Sequence, residues 1–230
     1  MQEDTIKVRR VFGEGLAWFM ARPWFWIGTI VLFGVISTIA NMVTTIFPGF
    51  ILKSGWGTGM ASALMFFLLL VNIFITTRMG MGLGWMAIST IHGQPANVAD
   101  LFAKPHLFWR YLGTLILFNA IVFLGLVLFV VPGIYLAARF FPVPYIMIER
   151  ETGILEAFHQ AEHLTEGHRA TLSAFIFLGV AIFAAMMQSI QTLGGFALLV
   201  VVIAAPIALL SFAALYGALK RASAEQAASA

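Results

Sequence analysis

The sequence predicts an all-α, polytopic membrane protein with six transmembrane helices and two or three in-plane amphipathic helices on the cytoplasmic side. Three observations predict this fold class. Hydrophobic residues make up 61% of the 230 residues and charged residues 10%, whereas soluble domains are roughly 45–50% apolar and about 25% charged. The apolar residues form stretches of bilayer length, and the few cations are sorted into alternate connections.

Six apolar stretches can each cross a bilayer, which takes about 20 residues per helix. The second is long, with an apolar extension to residue 91, and the short fourth carries Pro142 and Pro144. Six spans leave no room within the chain for a large soluble catalytic domain, and the absence of Cys removes thiolate metal sites and thiol nucleophiles. The stretches are 24–47, 59–77, 111–131, 133–148, 170–191 and 195–219.

The cations indicate the orientation. Of the 13 Lys and Arg residues, all but Lys53, Arg78 and Arg139 lie in the N-terminal segment, the connections after the second and fourth spans, or the C-terminal tail. Cytoplasmic loops carry an excess of Lys and Arg. Both termini are therefore predicted to be cytoplasmic, in agreement with an even number of spans.

The N-terminal segment is predicted to be a helix that lies in the membrane surface. Apolar residues recur there at helical spacing with charged residues between them, which is typical of interfacial helices, and Pro23 ends the pattern. The apolar positions are Val8, Val11, Phe12, Leu16 and Phe19.

The chain contains an internal repeat. Ala21-Arg22-Pro23 precedes the apolar run 28–33, and Ala103-Lys104-Pro105 precedes the similar run 113–118. Pro48-Gly49 and Pro132-Gly133 are expected to close the matching spans, and each copy starts with a short amphipathic stretch, 6–20 or 98–109.

A fainter third copy starts at 154–166 and turns at Gly194-Gly195. The predicted units are 5–91, 98–148 and 153–219, each an in-plane helix plus a hairpin, and an Ala-rich tail covers 220–230. Parallel repeats occur in transporters, although duplication of a hairpin does not require transport.

One short motif suggests a metal site. His159, Glu162 and His163 match the H-x-x-E-H pattern of inverzincin metallopeptidases. On a helix, the two histidines share one face and Glu162 could act as the base on a zinc-bound water. The alternatives are the wet face of a cytoplasmic helix, adventitious metal binding, or proton sensing by histidines near neutral pH.

Two arginines interrupt apolar stretches. Arg78 lies late in the second span and Arg139 early in the fourth, and neither has a carboxylate within a span. Charges inside a membrane pair, snorkel, or mark functional sites. We expect a lipid- or anion-binding role for both, and the alternative is that carbonyls freed by Pro142 satisfy Arg139 while Arg78 snorkels to the interface.

The stretch 131–169 resembles a known family. Its features are Pro132-Gly133-Ile134, Arg139, Pro144-Tyr145-Ile146-Met147, Glu156-Ala157-Phe158 and Leu164-Thr165-x-Gly167-His168. It is similar to the YciC-like bacterial inner-membrane proteins and to the membrane domain of some glycerophosphodiester phosphodiesterases. The resemblance implies a six-span inner-membrane protein without the phosphodiesterase catalytic domain.

These observations together predict a non-enzymatic inner-membrane protein. It would be a lipid-associated scaffold or an accessory subunit of a membrane complex, without a cofactor. Its expected partners are membrane phospholipids, with other membrane-protein subunits or a second copy of the chain as further candidates, and nothing in the sequence indicates nucleic acid. The alternatives are a transporter of an amphipathic anion or lipid and an intramembrane zinc metallopeptidase.

Overall fold

The computed structural model describes residues 8–53, 58–193 and 195–229, and every regular element in these ranges is helical. The all-α prediction is confirmed. In chain order the α-helices are α1 (Val8–Ala21), α2 (Pro23–Lys53), α3 (Thr58–Ile91), α4 (Phe108–Leu128), α5 (Val130–Phe140), α6 (Val143–Arg150), α7 (Ile154–Thr165), α8 (Arg169–Leu193) and α9 (Gly195–Ser229).

Several helices are long and apolar enough to cross a membrane. Among the described residues there are 5 such segments: Pro23–Ile51, Thr58–Ile91, Val98–Leu128, Val130–Arg150 and Val200–Glu225. The predicted fifth span falls on α8, where the residues whose side chains the structure describes include the shorter apolar stretch Thr171–Ile182. The chain is thus a multi-helix membrane protein, and the sixth span stays a prediction.

The turn between the third and fourth spans lies earlier than predicted. Helix α4 ends at Leu128 and α5 begins at Val130, so Pro132-Gly133 form the first turn of α5 instead of the loop. Pro is tolerated in a first helical turn because its missing N–H has no intrahelical partner there. A Cβ on Gly125 would lie 2.9 Å from the Cα of Gly133, so the absence of both side chains permits this tight hairpin.

The prediction that Pro48-Gly49 close the first span is wrong. Helix α2 contains Pro48 and continues to Lys53. One proline removes a single backbone hydrogen bond, whereas unwinding in an apolar surrounding would leave many unsatisfied.

The segment 98–109, predicted to be an in-plane helix, consists of two short 3-10 turns, Val98–Phe102 and Pro105–Leu107, before α4 starts. Lys104 has a φ of 53° between them. The ring of Pro105 disfavours the α-helical conformation for the residue before it, which explains the interruption.

The break in the fourth span is confirmed. Helices α5 and α6 are separated by Phe141 and Pro142. The C-terminal part of α3, α6, and the middle of α9 hold the most buried residues, including Met86, Met147 and Leu219.

By contrast, α2 and the first half of α3 carry a large exposed apolar surface, as does the α4–α5 turn, where Phe129 is 75% exposed. The bundle therefore has a packed end and an apolar, exposed end.

Helix α1 packs against α9. Val11 and Phe19 are buried, and a Cβ on Gly15 would lie 2.8 Å from the backbone nitrogen of Ser211. Part of the face expected on the membrane surface thus meets protein instead, while Leu16 remains 46% exposed.

Candidate functional site

The charged side chains of the packed end form a connected set of contacts, which we call the polar end. Its centre is the tripeptide Glu149-Arg150-Glu151, where α6 ends. Each of the three side chains contacts a different part of the bundle. The tripeptide therefore links helices that are far apart in sequence.

Glu149 joins α6 to α9 and to the end of α3. Its carboxylate accepts hydrogen bonds from the Tyr216 hydroxyl and, at 2.5 Å, from Lys220 Nζ. The Nε2 atom of His92 lies 3.7 Å from Glu149 Oε1. The Glu149 side chain is only 14% exposed, so these partners compensate for a carboxylate largely removed from water.

Glu151 holds the segment between α3 and α4. It accepts hydrogen bonds from Lys104 Nζ at 2.8 Å and from His106 Nε2 at 3.1 Å. These two hydrogen bonds hold the pKa of Glu151 below its ordinary value of 4.5. Lys104 also donates to the carbonyl of Ile148 at 2.8 Å and lies 4.0 Å from the Trp85 ring centroid. The unusual backbone of Lys104 thus places its ammonium group against three partners: Glu151, the Ile148 carbonyl and the Trp85 ring.

Arg150 completes the tripeptide by donating to Gln160 Oε1 of α7 at 2.8 Å. Gln160 in turn donates to Glu156 Oε1 at 2.7 Å. Helix α7 is thereby attached to the end of α6 by polar contacts, and its buried residues Ala157 and Ala161 pack inward.

Arg139, a predicted lipid- or anion-binding residue, forms an ion pair with Glu162 of α7. The carbonyl of Arg139 also accepts a hydrogen bond from Thr165 Oγ1 at 3.2 Å. The partner is a carboxylate outside the spans and not the carbonyl of Ala138 that Pro142 would free. The sequence shows no acid within the spans. The acid comes from α7, which follows the fourth span in the chain and folds back beside it.

Arg78, the second predicted binding residue, donates to the backbone carbonyls of the turn before α4. Its Nη2 is 2.9 Å from the Phe102 oxygen and its Nη1 is 3.4 Å from the Ala103 oxygen. Both intramembrane arginines therefore have protein partners. The structure does not bring them together into one site.

The histidine and glutamate motif lies on α7. The rings of His159 and His163 are in contact, with centroids 4.6 Å apart, and His163 Nδ1 is 3.8 Å from Glu166 Oε2. Glu162 points instead to Arg139. Within the described ranges, no three His, Asp or Glu side chains are placed to hold a metal ion.

A cavity of about 480 Å³ lies at the polar end between α1, the end of α3, and α9. Apolar groups contribute to its lining, among them Trp18, Ile91 and Ala214. His92, Lys220 and Arg221 line it as well, together with Glu14. Ligand sites commonly have this size and combine an apolar wall with a few polar groups.

Sequence reasoning missed this polar end. The available signal was the tripeptide at 149–151, which places two of only 10 acidic residues directly after an apolar stretch. The cavity had no such signal, because Glu14, His92 and Arg221 are distant in the chain.

Comparison with family models, curated proteins and solved structures gives no match to this chain.

Proposed function

We propose that this chain is a non-enzymatic integral membrane protein that serves as a lipid-associated scaffold in a bacterial inner membrane. In this proposal both termini and the polar end face the cytoplasm. The inner-membrane location in this proposal is what the resemblance of 131–169 to YciC-like proteins implies.

The observation that carries the proposal is the separation of the bundle into one polar and one apolar end. Three contacts at the polar end join sequence-distant elements: Lys104 with Glu151, Lys220 with Glu149, and Arg221 with Glu14. A cluster of this kind is expensive inside hydrocarbon and favourable at a membrane surface. Positive charge at that surface attracts the anionic lipids of the cytoplasmic leaflet.

Two exposed tryptophans support the placement of the polar end at the membrane surface. Trp24 is 83% exposed in the first turn of α2, and Trp109 is 76% exposed in the first turn of α4. Trp is enriched at membrane–water interfaces because its ring is apolar and its N–H is polar. These positions would mark the cytoplasmic boundary of the bilayer.

The alternatives receive less support. A transporter requires a polar path through the spans, whereas the cavity of about 270 Å³ between α2 and α3 is lined by aliphatic side chains with Thr44 and Asn72. A zinc peptidase requires Glu162 as a base beside the two histidines, and this carboxylate is paired with Arg139. We therefore retain the scaffold as the proposed function.

The test is extraction of the full-length protein from bacterial membranes into polymer nanodiscs, followed by lipid analysis. Anionic phospholipids should be enriched around the protein relative to the bulk membrane, by about twofold or more. A lipid composition equal to that of the bulk membrane would contradict the lipid-associated role.

A further inference from the structure

We propose that the cavity between α1, α3 and α9 binds one anionic phospholipid through its phosphate ester group. This inference rests on the proposed lipid association and assigns the lipid to a specific site. The site differs from Arg78 and Arg139, the two residues at which the sequence predicted lipid or anion binding. Three features of the cavity support this assignment: its cations, its apolar lining residues, and its position in the bundle.

The cations that line the cavity retain donors for an anion. Arg221 is 64% exposed on its side chain, and its contact with Glu14 at 3.4 Å occupies one of the five N–H donors of a guanidinium. The ammonium of Lys220 donates to Glu149, which leaves two of its three donors. Arg and Lys with unused donors are the groups that bind phosphate oxygens.

The balance of charge within the cavity favours an anion. Lys220 and Arg221 are the Lys and Arg residues of the lining, and Glu14 is its acidic residue. Glu149 does not line the cavity, but its carboxylate lies 2.5 Å from Lys220 Nζ, and Arg10 lies 3.2 Å from Glu14. Three cations therefore face two carboxylates, and the local charge stays positive. His92 contributes a ring nitrogen that can hydrogen-bond to a phosphate oxygen.

The remainder of the lining is suited to the glycerol region of a lipid rather than to a fully hydrated ion. Ile91, Ala214 and Gly217 form apolar wall between the charged groups. Trp18 separates this cavity from a second one of about 220 Å³, which Phe25 and Trp26 line. Because both residues belong to the first turn of α2, a surface that also includes Arg22, Thr90 and Gln94 leads from the cations towards a predicted span. An amphiphile can use the cations and this surface together.

The matched pair Arg221→Gln and Arg10→Gln tests the proposal. Both arginines pair with Glu14, Arg10 at 3.2 Å, and both are largely exposed. Only Arg221 lines the cavity. Each substitution removes one positive charge near the same carboxylate. The pair therefore distinguishes lipid binding in the cavity from general attraction of anionic lipid to the positively charged surface.

A second pair changes shape and leaves the charge intact. Ala224 lines the cavity, and Ala228, exposed one turn later on α9, does not. Ala224→Leu should narrow the cavity, while Ala228→Leu should not affect it. This pair keeps the test valid if Arg221→Gln alters the protein in another way.

The measurement is native mass spectrometry of the full-length protein in detergent, titrated separately with phosphatidylglycerol, phosphatidylcholine and inorganic phosphate. We expect a single phosphatidylglycerol adduct whose dissociation constant rises about tenfold in Arg221→Gln, as loss of one charge-assisted contact predicts. It should also rise in Ala224→Leu, because the larger side chain narrows the cavity. Arg10→Gln and Ala228→Leu should bind like the unmodified protein. Phosphatidylcholine should bind more weakly.

Two results would overturn the site. The first is an equal effect of Arg10→Gln and Arg221→Gln, which would indicate general surface attraction. The second is phosphatidylglycerol retention that none of the variants changes, which would leave the lipid-associated role intact but place the lipid elsewhere. If no lipid is retained by the unmodified protein, the proposed function itself fails. Inorganic phosphate that displaces phosphatidylglycerol at similar concentrations would identify a free phosphate as the ligand and overturn the lipid assignment.

Discussion

Arg139 of α5 forms an ion pair with Glu162 of α7, although 23 residues separate them in the chain. The pair changes the interpretation of two sequence motifs at once. It gives an intramembrane arginine a carboxylate partner, and it removes Glu162 from the metal-binding pattern of α7. It also fixes α7 beside the broken fourth span, where Thr165 adds a hydrogen bond to the Arg139 carbonyl.

Removal of either partner of this pair should destabilise the protein. We expect Arg139→Gln and Glu162→Gln each to lower the free energy of unfolding by about 1–2 kcal/mol. A buried hydrogen bond to a charged group contributes about 1.5–3 kcal/mol, and the partial exposure of both side chains reduces this contribution. The double variant should lose less than the sum of the two. Thermal unfolding in detergent would measure this, and strictly additive losses would show that the two residues are not coupled. Glu166→Gln, with a 68% exposed side chain, is the control and should change stability by about 0.5 kcal/mol or less.

Because α4 and α5 approach each other closely at Gly125 and Gly133, we expect that replacing Gly133 with a larger residue destabilises the protein. A Cβ on Gly133 would lie 2.9 Å from the backbone nitrogen of Leu126, so Gly133→Ala should cost about 1–3 kcal/mol through overpacking. Gly34 in α2 has no atom within 4 Å of its would-be Cβ. Gly34→Ala should therefore be neutral or stabilising by about 0.4–1 kcal/mol. Similar unfolding temperatures for both variants would contradict this tight hairpin.

The hydrogen bonds of Glu151 predict a dependence of stability on pH. Lys104 and His106 hold its pKa below 4.5 in the folded state, so near pH 4 the unfolded chain binds more protons than the folded one, and stability rises with pH. The contribution of Glu151 is complete above the unfolded value of 4.5 and is lost as the pH falls through the lower folded value.

The check is a series of thermal melts from about pH 7 to pH 3. Glu151→Gln should unfold at a lower temperature than the unmodified protein at pH 7, and the difference should shrink towards pH 3. Glu166→Gln should show a smaller effect. A constant difference across the range would mean that ionisation of Glu151 does not contribute.

The orientation can be tested with single cysteines, because the chain contains none. We expect Gly13→Cys and Ala228→Cys to react with an impermeant maleimide from the cytoplasmic side and Gly59→Cys from the opposite side, since all three positions are exposed. Labelling of intact cells and of inverted vesicles measures this. If Gly13→Cys and Ala228→Cys were labelled from opposite sides, the number of spans would be odd and α8 would not cross.

The sequence predicted the fold class because the cause is local. A run of about 20 apolar residues must satisfy its backbone hydrogen bonds internally, and a helix is the way a single segment does so. The same reasoning predicted the break at Pro142. It failed at Pro48 and Pro132, since a proline ends or continues a helix according to its surroundings and its place in the turn.

Sequence reasoning also identified Arg78, Arg139 and Glu162 as residues that need an explanation. It could not supply their partners, which come from segments brought near by folding: the Phe102 and Ala103 carbonyls for Arg78, and α7 for Arg139. For the same reason the cavity was not foreseeable, since α1, α3 and α9 meet there from both ends of the chain.

The sequence by itself determined that the chain is helical, that most of it is apolar enough for a membrane, and that its cations are sorted into alternate connections. These properties follow from composition and spacing along the chain, which no fold can alter. Only the tertiary structure decided which charge meets which, because ion pairs and cavities depend on distances between helices. In this protein it joined Glu149 and Glu151 to α9, to the end of α3 and to the segment between α3 and α4, and it placed Lys220 and Arg221 around an open cavity.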